Sequence, residues 1–493
     1  MAISDKIRHW IRWRSSQAPQ LRIDEHATLL TKVPLERSCG PERFAASYSQ
    51  WGLWYVKQFE PATSAYNLQV GLRLRGDLNR GALERSLQEI VNRHDILRTT
   101  FEFDGIQLDE VVVPSYSVSL SFIDLTQVPE SSRYIEAYAL AASETQATFD
   151  VAQLPLFRLK LIRLAAVDHI LICVMDHIIS DAWSLGLFVR ELNALYHAFS
   201  VGEASPLAPL PIQYGDYAQW QRECISGGLF DSQIAYWKSK LRGTPAVLDL
   251  HTDRVRPAKQ TFDGASQELP LPKDLVRLLK SLATQLDATL FMIALTAFKV
   301  LLNLYSRQED ILVGVPMASR SRVETEALMG LFVNVLVLRT NLGGNPRLCD
   351  LLLQVREVTL EAFCNSDIPF AKLVEEVKPA RNTSYNPIFQ AMFAVIKTAV
   401  QSESFGGLNA SPYLVTSRTS RFDLTMNLIE DADDEWLVQL EYNTTLFDHE
   451  RMTGMLRQYL SVLRAMAAQP HMHIADLPLP VSRQKQSAVV SDK

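Results

Sequence analysis

A histidine and two carboxylates lie close together in one short segment, Met175 to Ser184, which reads MDHIISDAWS. His177 is a candidate general base, because the ordinary pKa of a histidine, about 6.5, leaves much of it neutral near pH 7. Asp181 follows four residues later, and a carboxylate there can fix the loop by pairing with an arginine. On spacing alone, a histidine beside an aspartate after a strand is more often structural, so both roles stay open.

The flanking segments predict how this cluster is held. His169 to Met175 is a short, almost entirely apolar run, which predicts a strand covered on both faces. A helix is predicted from about Leu185 to Phe199, with Ser184 as its N-cap. Residues at such a strand-to-helix junction can be held rigidly while they face a cleft.

Strand-like and helix-like segments alternate along the chain, which predicts mixed α/β layers. Asn67 to Arg75 is predicted as a strand and Asn79 to Arg93 as a helix. In the second half the pattern predicts helices near 273–305 and 347–363 and strands near 310–315, 333–340, 422–429 and 436–442. The most apolar stretch, Leu290 to Leu304, contains Lys299 and is too short to span a bilayer, which indicates a buried helix.

Length and composition exclude several classes of protein. With 493 residues the chain is long enough for two cores, and 47% hydrophobic and 21% charged residues are typical of a globular protein. A net charge of −6 does not favour nucleic acid. The five cysteines form no CxxC pair and no HExxH is present, so we expect no metal site, no disulfide framework and a cytoplasmic location. No secretory or membrane segment is visible, and we expect a monomer.

The chain is predicted to divide into five parts. Residues 1–40 form an N-terminal extension, in which Ile3 to Arg14 has the spacing of a docking helix, although a loosely ordered terminus is the alternative. Residues 41–215 form one lobe and 273–476 another, joined by a proline-rich connection at 216–272. Residues 477–493 form a short tail.

Nine segments in a fixed order resemble the motifs of the condensation domains of nonribosomal peptide synthetases. The segment around His177 resembles HHxxxDG, and Arg93 to Phe101 is close to RHExLRTxF. The further segments are Ser47 to Trp54 (SxAQxRLW), Tyr214 to Trp220 (YxDYAxW), Met329 to Asn334 (IGxFVN), Asn365 to Phe370 (HQDYPFE), Arg381 to Phe389 (RDxSRNPLF) and the late pair Ser420 to Leu424 and Glu441 to Asn443. A series in this order over roughly residues 40 to 476 is far more specific than any single match.

The resemblance implies a fold and an activity. The fold is α/β, with two chloramphenicol-acetyltransferase-like lobes arranged as a V-shaped pseudo-dimer around a central tunnel. The activity is an acyl transfer in which an acceptor amine, or a hydroxyl, attacks a donor thioester and forms an amide or ester. Donor and acceptor carrier proteins are the implied partners, and their phosphopantetheine arms carry the substrates, so the domain itself needs no cofactor.

The resemblance also assigns roles to individual residues. His177 corresponds to the second motif histidine, which acts as proton acceptor or orienting group. Asp181 corresponds to the motif aspartate, which supports the site, and we expect Arg320 as its partner, with Arg322 and Arg98 as rivals. Four further residues are expected to line the tunnel: Trp183, Ser184, Asn334 and Ser420.

Two positions depart from the motif. Asp176 replaces the first histidine and Ala182 replaces the glycine. Neighbouring side chains of an extended segment point to opposite sides, so Asp176 need not touch His177. We expect Asp176 to take over a structural hydrogen-bonding role. If it did contact His177, it would favour the protonated ring and weaken the base.

These departures keep two other hypotheses open. Asp176, Asp181 and Ser184 satisfy the DxxxxDxxS pattern of heterocyclisation domains, which form thiazoline or oxazoline rings, although no PVVFTS-like segment is present. The altered first position also fits a catalytically silent relative that recruits carrier proteins or tailoring enzymes. Donor, acceptor and product type are not encoded in the motifs. The chain is expected to be either free-standing or part of a larger synthetase.

Overall fold

The structure is a computed structural model that describes residues 33–38, 42–380, 382–397, 404–431 and 435–477. The predicted docking helix at Ile3 to Arg14 and almost all of the predicted C-terminal tail lie outside the described residues.

Fifteen strands are formed within these ranges. They are β1 (Arg43–Ala45), β2 (Asn67–Arg75), β3 (Thr99–Phe103), β4 (Leu108–Val112), β5 (Ser121–Asp124), β6 (Phe157–Ala165), β7 (Asp168–Asp176), β8 (Gly264–Leu271), β9 (Asp310–Ala318), β10 (Val333–Asn341), β11 (Ala391–Lys397), β12 (Ser404–Phe405), β13 (Leu408–Pro412), β14 (Leu424–Glu430) and β15 (Trp436–Asn443).

Eleven α-helices accompany the strands in the described part of the chain. They are α1 (Tyr48–Phe59), α2 (Arg80–Arg93), α3 (Glu130–Gln146), α4 (Ala182–Ser200), α5 (Tyr214–Ser226), α6 (Asp231–Lys240), α7 (Lys273–Gln285), α8 (Leu290–Ser306), α9 (Leu348–Cys364), α10 (Phe370–Val377) and α11 (His449–Ala468).

Two six-stranded sheets organise the molecule, and each forms one lobe with its helices. The first lobe has the strand order β12-β13-β2-β7-β6-β5, and the second has β10-β9-β11-β14-β15-β8. A separate three-stranded sheet has the order β1-β4-β3. The alternation of strands and helices in the sequence therefore correctly predicts mixed α/β layers, and the segment predicted as helix at 273–305 is divided into two helices.

The chain crosses between the lobes after its midpoint. Strand β13 lies between β11 and β14 in sequence, yet it pairs antiparallel with β2 of the first sheet, with Pro412 opposite Leu72. Strand β8, inside the predicted connection 216–272, pairs with β15 of the second sheet. The predicted boundaries stay predictions, but the sheets do not separate along the chain at those points.

Helix α8 is the most buried helix of the second lobe. Only Leu290, Phe291, Asn303 and Tyr305 of its residues are even partly exposed, as expected for the most apolar stretch of the sequence. Lys299 lies within it, and its Nζ donates to the Leu338 carbonyl (2.5 Å) and to Thr340 Oγ1 (2.7 Å). Within the described ranges no single helix has the length and apolarity to cross a bilayer, and α7 with α8 would reach it only as a pair bent by 103°.

The strand-to-helix junction has the predicted order of elements. Strand β7 ends at Asp176, a 3-10 turn covers His177–Ile179, and α4 begins at Ala182. The N-cap is Asp181 and not Ser184, the residue that the sequence pattern favours, because Asp181 Oδ1 accepts from the Ser184 backbone N–H at 2.8 Å. The carboxylate is therefore placed at the positive end of the helix dipole, where it is most stabilising.

Candidate active site

His177 is held at the end of β7 by hydrogen bonds on two sides. Its backbone N–H donates to the Tyr66 carbonyl at 2.9 Å, and its Nδ1 lies 2.6 Å from the Ser180 carbonyl. Because a carbonyl only accepts, Nδ1 carries the ring proton and Nε2 is the bare nitrogen. Among the described residues Nε2 has no hydrogen-bond partner. The ring is thus fixed in the tautomer that a general base needs.

The surroundings of His177 favour its neutral form. Burial lowers the pKa of His177 to about 4, and the positive charge of Arg421 contributes to this lowering. The Ser180 carbonyl and the Asp181 carboxylate have the opposite effect and raise the pKa. The side chain remains 9% exposed, whereas Asp176 and Ser180 on either side are 0% exposed. His177 is therefore a neutral imidazole at pH 7 and is the least buried residue of its turn.

Asp176 serves an ion pair that the sequence did not reveal. Its Oδ2 lies 2.6 Å from Lys57 Nζ on α1, and its Oδ1 accepts from the Ile178 N–H at 2.9 Å. Burial raises the pKa of Asp176, and Lys57 opposes that rise. Asp176 and Lys57 are both almost fully buried, so each neutralises a charge that would otherwise be costly. Asp176 is directed toward α1. In the described part of the chain, no hydrogen bond joins its side chain to the His177 ring.

Asp181 ties the first lobe to the second through both oxygens. Oδ1 accepts from the N–H and hydroxyl of Ser184 (2.8 and 2.7 Å) and lies 3.3 Å from Arg320 Nη2, while Oδ2 accepts from the Phe332 N–H at 3.1 Å. The arginine contact is a single long one and not bidentate, so the cap and the Phe332 amide hold this carboxylate most tightly.

Arg320 is the arginine that the structure places beside Asp181. Its Nη1 donates to the carbonyls of Thr325 and Leu328, and its guanidinium lies 3.9 Å from the centroid of the Phe332 ring. The two rival arginines form other ion pairs, Arg322 with Glu324 and Arg98 with Asp95. Arg320 thus fixes the 325–332 loop against the first lobe.

Of the four residues predicted to line a tunnel, three are closed into the packing. Ser184 and Ser420 are 0% exposed and Asn334 is 5% exposed. Asn334 donates to the carbonyls of Ser366 and Ile368, and Ser420 donates to that of Phe422. These three residues support neighbouring backbone groups, and their place along a tunnel stays a prediction. Trp183 is half-buried and donates from Nε1 to the Glu326 carbonyl across the lobes at 3.0 Å.

Sequence reasoning missed two charged residues of the site. Lys57 was detectable, since Gln50, Leu53 and Lys57 form the buried face of α1 at helical spacing. Arg421 stands inside a recognised motif, but its approach to His177 depends on contacts between distant segments that no spacing predicts. The described residues also contain no cluster of three or more side chains able to hold a metal ion.

With this geometry in place, comparisons with known proteins identify the family. The model of the condensation domain matches residues 42–489, and the chain belongs to that family. It is 41% identical over 460 residues to a linear gramicidin synthase of Brevibacillus parabrevis, covering 93% of this chain and 9% of that protein. It is 36% identical over 434 residues to the phosphinothricin tripeptide synthetase PhsC of Streptomyces viridochromogenes, covering 88% and 40%.

Solved structures share the fold. The X-domain from teicoplanin biosynthesis superimposes with a TM-score of 0.83 at 27% identity, covering 90% of this chain and 99% of that one. The first condensation domain of the calcium-dependent antibiotic synthetase, in complex with a substrate analogue, gives a TM-score of 0.74 at 19% identity, covering 89% and 99%. The two lobes are therefore chloramphenicol-acetyltransferase-like, as the motifs implied.

The chain spans less than a tenth of the length of the gramicidin synthases it matches. Against three of these proteins the matched part is 9%, 9% and 6% of their length. The chain therefore corresponds to one domain of those multidomain proteins.

Proposed function

We propose that this domain joins two carrier-bound units by acyl transfer, with His177 as the general base. The acceptor amine attacks the donor thioester carbon, Nε2 of His177 takes the amine proton, and the donor thiolate leaves and is protonated. Both units arrive on the phosphopantetheine arms of partner carrier proteins in the cytoplasm. The arms enter a passage between the lobes, and their reacting ends meet at His177.

The fixed tautomer of His177 is the observation that carries this proposal. The Ser180 carbonyl holds the Nδ1 proton at 2.6 Å and leaves Nε2 to accept. A low pKa keeps Nε2 unprotonated at neutral pH. A positioned base contributes about 10²–10⁴ in rate, and holding the two reactants together can contribute about 7–11 kcal/mol more. Some activity should therefore survive loss of the imidazole.

The contacts of Asp176 and Asp181 account for the DxxxxDxxS pattern without heterocyclisation. Here Asp176 is paired with Lys57 and Asp181 caps α4, and neither is more than 3% exposed. Their side chains support the junction, so the pattern that suggested cyclisation has a structural explanation.

Intact mass spectrometry of carrier proteins tests the proposal. Purified domain is mixed with one carrier loaded with an acyl thioester and another loaded with an aminoacyl thioester. A linear adduct on the acceptor carrier supports condensation. An adduct lighter by one water would instead indicate cyclisation, and carrier binding with no adduct would indicate a silent recruiting domain; either result would overturn the proposal.

A further inference from the structure

Arg421 reaches from the second lobe to the segment that holds His177. Its Nε donates to the Ala65 carbonyl at 2.8 Å, and its guanidinium carbon lies 5.2 Å from the centroid of the Tyr66 ring. The next carbonyl, that of Tyr66, accepts the backbone N–H of His177 at 2.9 Å. Two successive peptide groups therefore fix the guanidinium and the imidazole relative to one another.

The backbone of Arg421 is itself anchored, while the end of its side chain is available. Its carbonyl accepts from Gln260 Nε2 at 3.0 Å and from Asn386 Nδ2 at 2.7 Å. In the described part of the chain its side chain donates only from Nε, and the residue is half-buried. Both Nη groups are left to donate to a ligand beside His177.

The charge of Arg421 weakens His177 as a base, which indicates that His177 does not act alone. A cation next to an imidazole lowers its pKa and so weakens it as a proton acceptor, which is the effect of Arg421 on His177 after burial. The same cation stabilises any negative charge that develops nearby, and in a water-poor site this electrostatic stabilisation is commonly the largest contribution to catalysis. Attack on a thioester places such a charge on the carbonyl oxygen.

We propose that Arg421 is a catalytic residue that donates from Nη to the carbonyl oxygen of the donor thioester as the tetrahedral intermediate forms. The C–N bond forms while the carbonyl π pair moves onto oxygen, where Arg421 stabilises it. His177 Nε2 takes the amine proton; the oxyanion then reforms the carbonyl, the C–S bond breaks, and the thiolate receives that proton from His177. This role rests on the proposed condensation reaction.

Single-turnover rates of Arg421→Gln and Arg421→Lys test the role. Arg421→Gln removes the charge, and we expect the rate at saturating carriers to fall about 100-fold or more with little change in the carrier concentration for half-maximal rate. Arg421→Lys keeps the charge without the planar fork, so its rate should lie between those of Arg421→Gln and wild type. Rates of Arg421→Gln within about threefold of wild type would overturn the proposal.

The matched control is Lys259→Ala. Lys259 Nζ donates to the Phe59 carbonyl at 2.9 Å and pairs with Glu60, so this change also removes contacts between the same parts of the chain without touching the Tyr66 carbonyl that holds His177. It should leave the rate unchanged, and a loss equal to that of Arg421→Gln would show that only lobe contact matters.

NMR titration of the His177 ring separates failure of this inference from failure of the proposed function. Wild-type protein that forms no adduct would refute the condensation reaction itself, whereas the titration needs no turnover. The pKa of His177 should rise in Arg421→Gln and stay low in Arg421→Lys, since only the former lacks the cation. An unchanged pKa in folded Arg421→Gln would contradict the placement of the guanidinium.

Discussion

At the scale of single residues, the site depends on which groups are paired and which are left open. Ser180 fixes the proton of His177 on Nδ1, while Lys57 neutralises the aspartate that replaces a motif histidine. The neighbouring side chains of Asp176 and His177 thus have separate contacts: Asp176 holds α1 against the junction, and His177 keeps Nε2 free for the proposed proton transfer.

The pH behaviour of His177 provides a first prediction. With a folded pKa of about 4, the ring should keep the NMR shifts of a neutral imidazole from about pH 8 to about pH 5.5. Its resonance is assigned by its absence from His177→Ala. Because the unfolded ring titrates near 6.5, the unfolded state binds the extra proton first, and stability should fall as pH drops from about 6.5 towards 4. A midpoint near 6.5 in the folded protein would refute the prediction.

The Asp176–Lys57 pair provides a second prediction. Asp176→Asn leaves the Lys57 charge buried and unpaired, which should lower the free energy of unfolding by about 3–5 kcal/mol. Lys57→Met combined with Asp176→Asn should recover most of that loss, because apolar replacement of a buried pair is often neutral. Urea unfolding of both variants measures this. A double variant that is no more stable than Asp176→Asn would contradict the assigned pair.

At the scale of elements, the junction from β7 to α4 is held by groups from both lobes. Asp181 caps α4 and accepts from the Phe332 amide, and Ser184 Oγ lies 3.0 Å from the Gly330 carbonyl and 3.1 Å from its N–H. Gly330 has φ +153°, and a Cβ there would lie 1.9 Å from the Tyr214 ring, so this position requires glycine. The second lobe is therefore part of the support of His177.

Arg320 provides the prediction at this scale. Arg320→Met leaves the Thr325 and Leu328 carbonyls and part of Asp181 without a donor, and should cost roughly 3–5 kcal/mol of stability. Arg80→Met, which removes the exposed pair with Glu84 and the contact with the Phe122 ring, should cost about 1 kcal/mol or less. Denaturant unfolding compares the two, and equal small losses would mean that Arg320 does not hold the loop.

Elements are easier to predict than contacts. The strand Asn67–Arg75 and the helix ending at Arg93 are predicted to the residue or within one, because their patterns are local. The N-cap is misplaced since Asp181 and Ser184 are both capping residue types, and only geometry decides between them. The burial of Asn334 and Ser420 could not be predicted, because it depends on packing from distant segments that motif position does not reveal.

At the scale of the whole molecule, the crossing strand β13 brings the second half of the chain into the first sheet. Gly71 of β2 allows this, because a Cβ on it would lie 2.3 Å from the Tyr413 carbonyl oxygen. The Tyr413 N–H in turn donates to the Gly71 carbonyl at 2.9 Å. Close backbone approach therefore holds the second half of the chain against the sheet that carries β7.

Gly71→Val should separate this strand from β2. The added side chain forces the two backbones apart, at a cost of about 1–3 kcal/mol, and amide exchange over 404–413 should accelerate. Gly454→Ala, at a helical position with open space, is the control and should change stability by no more than about 1 kcal/mol. Hydrogen exchange read by mass spectrometry checks both, and unchanged protection of 404–413 would count against the crossing contact.

In the proposed reaction His177 acts where the two carrier arms meet, and the single-turnover rate of His177→Ala measures its contribution. Adduct formation should slow by about 100-fold or more while the protein stays folded and binds both carriers. His251→Asn, which changes an exposed histidine far along the chain from the junction, should react at the wild-type rate. A folded His177→Ala variant that forms adduct as fast as the wild type would show that this imidazole has no catalytic role.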